Sequence, residues 1–327
     1  MTDPANPRRA LHETALAPDR VSYLTVGPES AGQRLDNFLL RLAKGVPHSH
    51  VYRIVRSGEV RVNQGRAAVS QRLAEGDRIR VPPLRVAQPA APPPRPFMPA
   101  VLYEDEHLMV VDKPAGLAAH GGSGIAHGLI ESVRASRPNQ QFLELAHRLD
   151  RETSGILLLA KSRRALLSLH GMLRDGRIDK RYLALVAGDW VNDRQHVRLP
   201  LAKRTLAGGE RRVGVDRDAG LAAHTVFNLR HRYGAFSLLE AELKTGRTHQ
   251  IRVHLAHVGF PIAGDDKYGD FELNRRLARG EFGAALRRMF LHACSVRLAH
   301  PVGGQPMQID CALDRECADF LKALGRA

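Results

Sequence analysis

The stretch Ala146-His147-Arg148-Leu149-Asp150-Arg151-Glu152-Thr153-Ser154-Gly155 runs directly into Ile156-Leu157-Leu158-Leu159-Ala160. A short, unbroken apolar run of this kind predicts a strand buried on both faces. The charged residues before it then stand at a strand edge bordering the core. A carboxylate placed there is partly desolvated and requires a positive partner. Asp150 is the candidate. From these residues alone, a structural ion pair of Asp150 with Arg148 or Arg151 explains the pattern equally well.

A second cluster, Lys244-Thr245-Gly246-Arg247-Thr248-His249-Gln250-Ile251-Arg252-Val253-His254, follows another apolar run. Its Gly-Arg-Thr turn presents a guanidinium just ahead of a predicted helix over 248–257, closed by Gly259. Further helices are predicted over 128–135, 163–174 (capped by Ser162) and 315–324. Strands are predicted over 101–103, 108–111, 156–160, 182–186, 236–243, 295–299 and 307–310. Short connections such as the loop 301–305 favour antiparallel pairing, so the class is α+β on a mixed, largely antiparallel sheet.

Ahead of this domain lies a different composition. Residues 82–99 hold eight of the chain's nineteen prolines and form neither helix nor inner strand. The expected organisation is a flexible tail over 1–20, a small module over 21–85, a Pro-rich linker over 86–99 and a large domain over 100–327. In the module, Leu35, Phe38, Leu39 and Leu42 share one helical face, with Gly45 placed as a C-cap. Ser49 is placed to cap a second helix carrying Val51, Ile54 and Val55 and ended by Gly58. Strands over 60–62 and 78–81 follow, separated by turns at Asn63-Gln64-Gly65 and Gly76-Asp77. Residues 32–85 hold eleven Arg and Lys against four Asp and Glu, a net of +7 out of +15 for the whole chain of 327 residues. Ten of the eleven are arginines, which suit phosphate contacts and base stacking. The partner expected from such a charge is a nucleic acid.

With SGEVRVN (57–63) and EGDRIRV (75–81) after two short helices, the module resembles the S4 RNA-binding domain. In the large domain, HRLDRETSGILLLAKS (147–162) and TGRTHQIRVHLAHVGFPIAGDDKYG (245–269) look like the active-site signatures of the RluA-type pseudouridine synthases. DKRYLALV (179–186) and VVDKPAGL (110–117) match the same family, in family order. Within it, KPAGLAAHGGSG (113–124) and the run 61–87 look most like the C-type branch, which acts on large-subunit ribosomal RNA. The resemblance implies an isomerase that converts uridines already in RNA to pseudouridine. It implies that Asp150 is the catalytic aspartate and that Arg247 is the cation keeping it ionised. It also implies that Tyr182 stacks on the uracil and that Arg148 enters the RNA stack as the base flips out.

This chemistry needs no second carboxylate, since no water is to be activated, and it expects no cofactor and no metal. His249, His254 and His257 lack the acidic or cysteine partners of a zinc site, and three cysteines at uneven spacing form no disulfide framework. The loop His120-Gly121-Gly122-Ser123-Gly124 lacks the ending of a P-loop, and Asp265-Asp266-Lys267 reads as a turn. Ser154, His147 and Asp150 are too compact in sequence for a serine triad. A cytoplasmic location is expected from the cysteine usage and no membrane partner from the lack of an apolar span; the expected oligomeric state is a monomer. The alternative from another class is a non-catalytic ribosomal-RNA-binding or assembly factor.

Overall fold

The computed structural model describes residues 16–17, 19–43, 46–84, 95–122, 126–205 and 211–325. The chain divides into two compact units, Met1–Pro93 and Pro94–Ala327. Most of the expected tail, Gly45 with its expected cap, and linker residues 86–94 lie outside the described residues, as do Ser123 and Gly124 of the glycine-rich loop.

In the first unit, β1 (Ser22–Thr25), α1 (Leu35–Leu42), α2 (His48–Arg56), β2 (Arg61–Val62), β3 (Gly65–Arg66) and β4 (Arg78–Val81) follow in chain order. The strands form one antiparallel sheet in the order β1-β4-β2-β3. Leu35, Phe38, Leu39, Val51, Ile54 and Val55 of the helices bury against Leu24, Val62, Ile79 and Val81 of the strands. The β2–β3 turn puts both Asn63 (φ 49°) and Gln64 (φ 67°) in the left-handed region, as a two-residue hairpin demands. Ser49 lies inside α2, and its N-cap is Pro47. A proline there needs no N–H partner, and the helix starts two residues earlier than a serine cap predicts.

The second unit is built on β5 (Val101–Glu104), β6 (Leu108–Lys113), α3 (Leu129–Ser136), β7 (Glu144–Leu145), β8 (Ser154–Ala160), α4 (Arg163–Arg174) and β9 (Asp179–Ala187). There follow β10 (Arg194–Arg198), β11 (Leu201–Thr205), β12 (Arg211–Val215), β13 (His224–Arg232), β14 (Phe236–Leu243), α5 (Gln250–His257), α6 (Phe271–Arg279), β15 (Leu291–Ala299), β16 (Pro306–Asp310) and α7 (Arg315–Leu324). A ten-stranded sheet runs β10-β13-β14-β9-β15-β8-β6-β5, with β16 beside β15 and β7 beside β8, while β11 and β12 form a separate hairpin. Among the described residues only the β8–β15 pair is parallel. The unit is thus a mixed, antiparallel-rich sheet with few helices.

Strand periodicity assigns the two faces. Along β9, Tyr182, Ala184 and Val186 join the main core with β8, α3 and α4, whereas Leu185 joins a second core with Phe236, Phe290 and Phe320 beneath α6 and α7. Every residue of β8 is buried, as its unbroken apolar run requires. At Gly155 (φ 103°) a Cβ would stand 2.3 Å from the Ala293 carbonyl oxygen, so only glycine allows β8 and β15 to approach there. α4 begins at the expected residue, with Ser162 Oγ accepting from the Ala165 N–H at 3.2 Å.

Candidate active site

The loop from Ala146 to Thr153 is pinned to β8 at its N-terminal end. The Ala146 N–H donates to the Leu158 carbonyl, and the Leu158 N–H donates to His147 Nε2 at 3.2 Å. Burial lowers the His147 pKa to about 4, so it is the neutral ring that accepts this bond. Beyond the turn, the Thr153 N–H donates to the Asp150 carbonyl. From below, the fully buried Lys113 ammonium donates to the carbonyls of Pro114, Leu117 and Arg151 at 2.8, 2.8 and 3.0 Å. Burial brings its pKa down to about 8. A buried charge held by three backbone carbonyls fixes the loop that carries Asp150.

Opposite stands the start of α5, two residues later than the sequence predicts. His249 is its N-cap and takes left-handed geometry (φ 54°). Gln250 forces this turn. Its buried Oε1 accepts from the Arg247 N–H (3.0 Å) and Thr245 Oγ1 (2.8 Å), while Nε2 donates to the His224 carbonyl and Thr225 Oγ1. Both acceptor sites of Oε1 and both N–H groups of Nε2 are therefore used, which makes the loop shape rigid. The strain at His249 turns its Nε2 to 3.9 Å from Asp150 Oδ1, with Nδ1 2.9 Å from the Tyr268 hydroxyl.

The guanidinium nearest Asp150 is that of Arg252, not Arg247. Arg252 Nη1 lies 3.9 Å from Asp150 Oδ2. Arg247 instead donates from Nε to the Ala222 carbonyl and lines the wall of the same cavity. The helix start explains the difference: Arg247 remains in the loop, and only Arg252, on the first turn of α5, reaches the carboxylate. Arg252 is itself held by a two-pronged pair to buried Asp265, at 2.8 and 2.7 Å, and packs 5.1 Å from the Tyr268 ring. Burial opposes both charges. The paired hydrogen bonds prevail, raising Arg252 and holding Asp265 below the usual carboxylate range. Asp265 also accepts from the backbone N–H groups of Lys267 and Tyr268, which is why Asp265-Asp266-Lys267 is a turn.

Asp150 faces a cavity of about 540 Å³ whose walls include Arg148, Tyr182, Arg247, His249 and Arg252. A neighbouring groove shares Arg148, Asp150, His249 and Arg252 and adds His120 and Gly122. Tyr182 is buried, and burial together with the nearby Asp150 charge pushes its hydroxyl pKa up. The four residues singled out from the sequence thus share one cavity. The structural ion pair considered for Asp150 is absent among the described residues, since Arg151 pairs with Glu152 at 2.7 Å and Arg148 is exposed. Ser154 Oγ bonds His292, not His147. His254 is held by Thr225 Oγ1 and the Leu199 carbonyl, each at 3.0 Å. Sequence reasoning missed Lys113, His249, Arg252 and Asp265 as parts of the site. The available signal for Arg252 was a charge among the apolar positions Ile251, Val253 and Leu255, where an arginine is buried only with a partner.

Residues 107–257 match the RNA pseudouridylate synthase family, and residues 33–79 match the S4 domain. A protein of Yersinia pestis named "Ribosomal large subunit pseudouridine synthase C" is 48% identical over 318 residues, covering 94% of this chain and 96% of its own length. The protein of that name from Escherichia coli K12 is 46% identical over 314 residues, covering 94% and 98%. Among solved structures, human RNA pseudouridylate synthase domain containing 4 superposes with a TM-score of 0.56 at 26% identity, covering 69% of this chain and 93% of that one. The chain belongs to the RluA-type RNA pseudouridylate synthase family, in the branch that carries an N-terminal S4 domain.

Proposed function

We propose that this chain isomerises uridines of large-subunit ribosomal RNA to pseudouridines, with Asp150 acting on the ribose and no cofactor taking part. The observation that supports this reading is the convergence of Asp150, Tyr182, Arg252 and His249 on one cavity of nucleotide size, rimmed by exposed Arg148. A uridine leaves the RNA stack at a cost of a few kcal/mol, and Arg148 fills the gap it leaves. Tyr182 lies against the uracil, and Arg247 holds the RNA backbone at the cavity wall. Asp150 must be ionised whether it attacks C1′ or removes a ribose proton to give a glycal, and the Asp265-bound Arg252 supplies the neighbouring positive charge. The C1′–N1 bond breaks, the uracil turns while held, C5 bonds to C1′ and the C5 proton leaves. No atom is gained overall, so the product is an isomer.

The test uses large-subunit ribosomal RNA labelled with tritium at uridine C5. Isomerisation releases tritium to water while the base stays in the RNA. Release of free uracil would instead indicate a glycosidase, and no release from naked or assembling RNA would favour the non-catalytic assembly factor. The N-terminal unit supplies affinity for the same RNA through phosphate contacts, and the protein acts as a cytoplasmic monomer. No helix among the described residues is long and apolar enough to cross a membrane.

A further inference from the structure

We propose that the open face of the four-stranded sheet in the first unit is a platform for unpaired RNA nucleotides, with Tyr23 stacking on a base and a row of arginines holding phosphates. Residues directly opposite one another in a sheet project from the same face. Tyr23 lies opposite Arg80, Arg80 opposite Arg61, and Arg61 opposite Arg66, so the four cross all the strands in one line. Thr25 and Arg78, also opposite each other, form a second row. Neighbouring strands are about 4.8 Å apart, so the first row spans about 14 Å. The alternate residues Leu24, Val62, Ile79 and Val81 are buried under α1 and α2, which leaves the arginine face turned outward.

Two features point to a single strand of RNA. First, Tyr23 is 62% exposed, a large ring left in water beside Arg61, Arg66, Arg78 and Arg80. Second, among the described residues no carboxylate lies within 4 Å of Arg61, Arg66, Arg78 or Arg80. On the helices of the same unit, by contrast, Arg34 is tied to Asp36 at 2.7 Å and Arg53 stands 3.9 Å from Glu59. Arg61 and Arg80 each use one guanidinium nitrogen on a carbonyl, of Gln64 and Glu59 respectively, which steadies them along the sheet. Unpaired cations beside an exposed aromatic ring are how sequence-tolerant single-strand binding is built. A duplex offers such a face phosphates but no open base to stack. Tyr23 and Arg80 both lie outside residues 33–79, the stretch that matches the S4 domain, so this surface goes beyond what that match describes.

The inference rests on the reading of this chain as an RNA-modifying protein, and its test is independent of turnover. Binding of the full-length chain is measured by fluorescence anisotropy over a range of salt concentrations. The probes are a labelled single-stranded RNA of about 12 nucleotides containing only A and C, and a G·C duplex of equal length. Neither contains uridine, so neither can be isomerised. Tyr23→Ala is expected to weaken strand binding about tenfold with an unchanged salt slope and to leave duplex binding alone, while Tyr23→Phe keeps the affinity. Arg61→Gln/Arg80→Gln is expected to lower the logarithmic salt slope for the strand by about 1.4, two phosphates at about 0.7 each. Equal losses for strand and duplex with Tyr23→Ala, or an unchanged slope in the arginine pair, overturn the proposal. Neither outcome touches the chemistry assigned to Asp150, which tritium release reads separately.

Discussion

Two sets of arginines divide the labour of this protein. In the second unit, Arg252 is buried, doubly bonded to Asp265 and aimed at Asp150. In the first unit, Arg61, Arg66, Arg78 and Arg80 lie across an open sheet without a carboxylate within 4 Å among the described residues, and Tyr23 is beside them. The same side chain does opposite things because its surroundings differ. A buried, paired guanidinium has one fixed geometry and a field little screened by water, which suits positioning a reacting carboxylate. One without a carboxylate partner is free to neutralise a phosphate and so release cations condensed on the polyanion, which gives affinity that depends on salt.

The largest effect expected is at Asp150. Asp150→Asn should lower tritium release by roughly 10⁴-fold or more, while RNA affinity by filter binding stays within about twofold. Retained turnover would sink the assignment of the chemistry to this loop. Next comes the buried pair. Asp265→Asn leaves Arg252 buried and uncompensated and should cost about 3–5 kcal/mol in urea unfolding, with turnover falling as Asp150 loses its positioned neighbour. Arg61→Gln should stay within about 0.5 kcal/mol. If both substitutions cost the same, the distinction between the two sets of arginines is wrong.

A smaller effect concerns pH. The His147 pKa is lowered to about 4 in the fold, against about 6.5 when unfolded. The unfolded chain therefore takes up this proton first. Stability from the group is complete above pH about 6.5, declines as pH falls from there to about 4, and is constant below, a change of about 3 kcal/mol at most. His147→Gln should flatten that part of the pH–stability curve measured by thermal melting; an unaltered curve would remove His147 from the account. The smallest change is at the rim. Arg148→Ala should reduce kcat/KM roughly tenfold through poorer base extrusion while leaving the melting temperature within a degree or two. A comparable loss on an isolated, already unstacked uridine substrate would contradict that role.

Much of this was legible in one dimension. The apolar run of β8 announced a strand with charged residues at its head, and the Ser162 cap and the stripe of α4 located a helix to the residue. Asp150, Arg148, Tyr182 and Arg247 were all found as residues of one site, through family motifs as well as residue type. The partner of Asp150 was not. Gln250 ties up the Arg247 N–H and Thr245, His249 bends into the left-handed region, and α5 starts late, so the reach of two nearby arginines is exchanged. Propensity and periodicity carry no information on where a glutamine side chain finds its four partners. Nor do they show that a lysine 38 residues before Arg151 will hold its carbonyl.

By itself the sequence determined what is local: apolar periods of 2 and 3.6 residues, turn and cap chemistry, the concentration of arginine in the first unit, and the residue types at the site. The tertiary structure decided which charges meet, because pairing is set by distance and burial across elements remote in the chain. It put Asp265 behind Arg252, Lys113 beneath the Asp150 loop and Tyr23 in line with three arginines, and these juxtapositions make one surface chemical and the other adhesive.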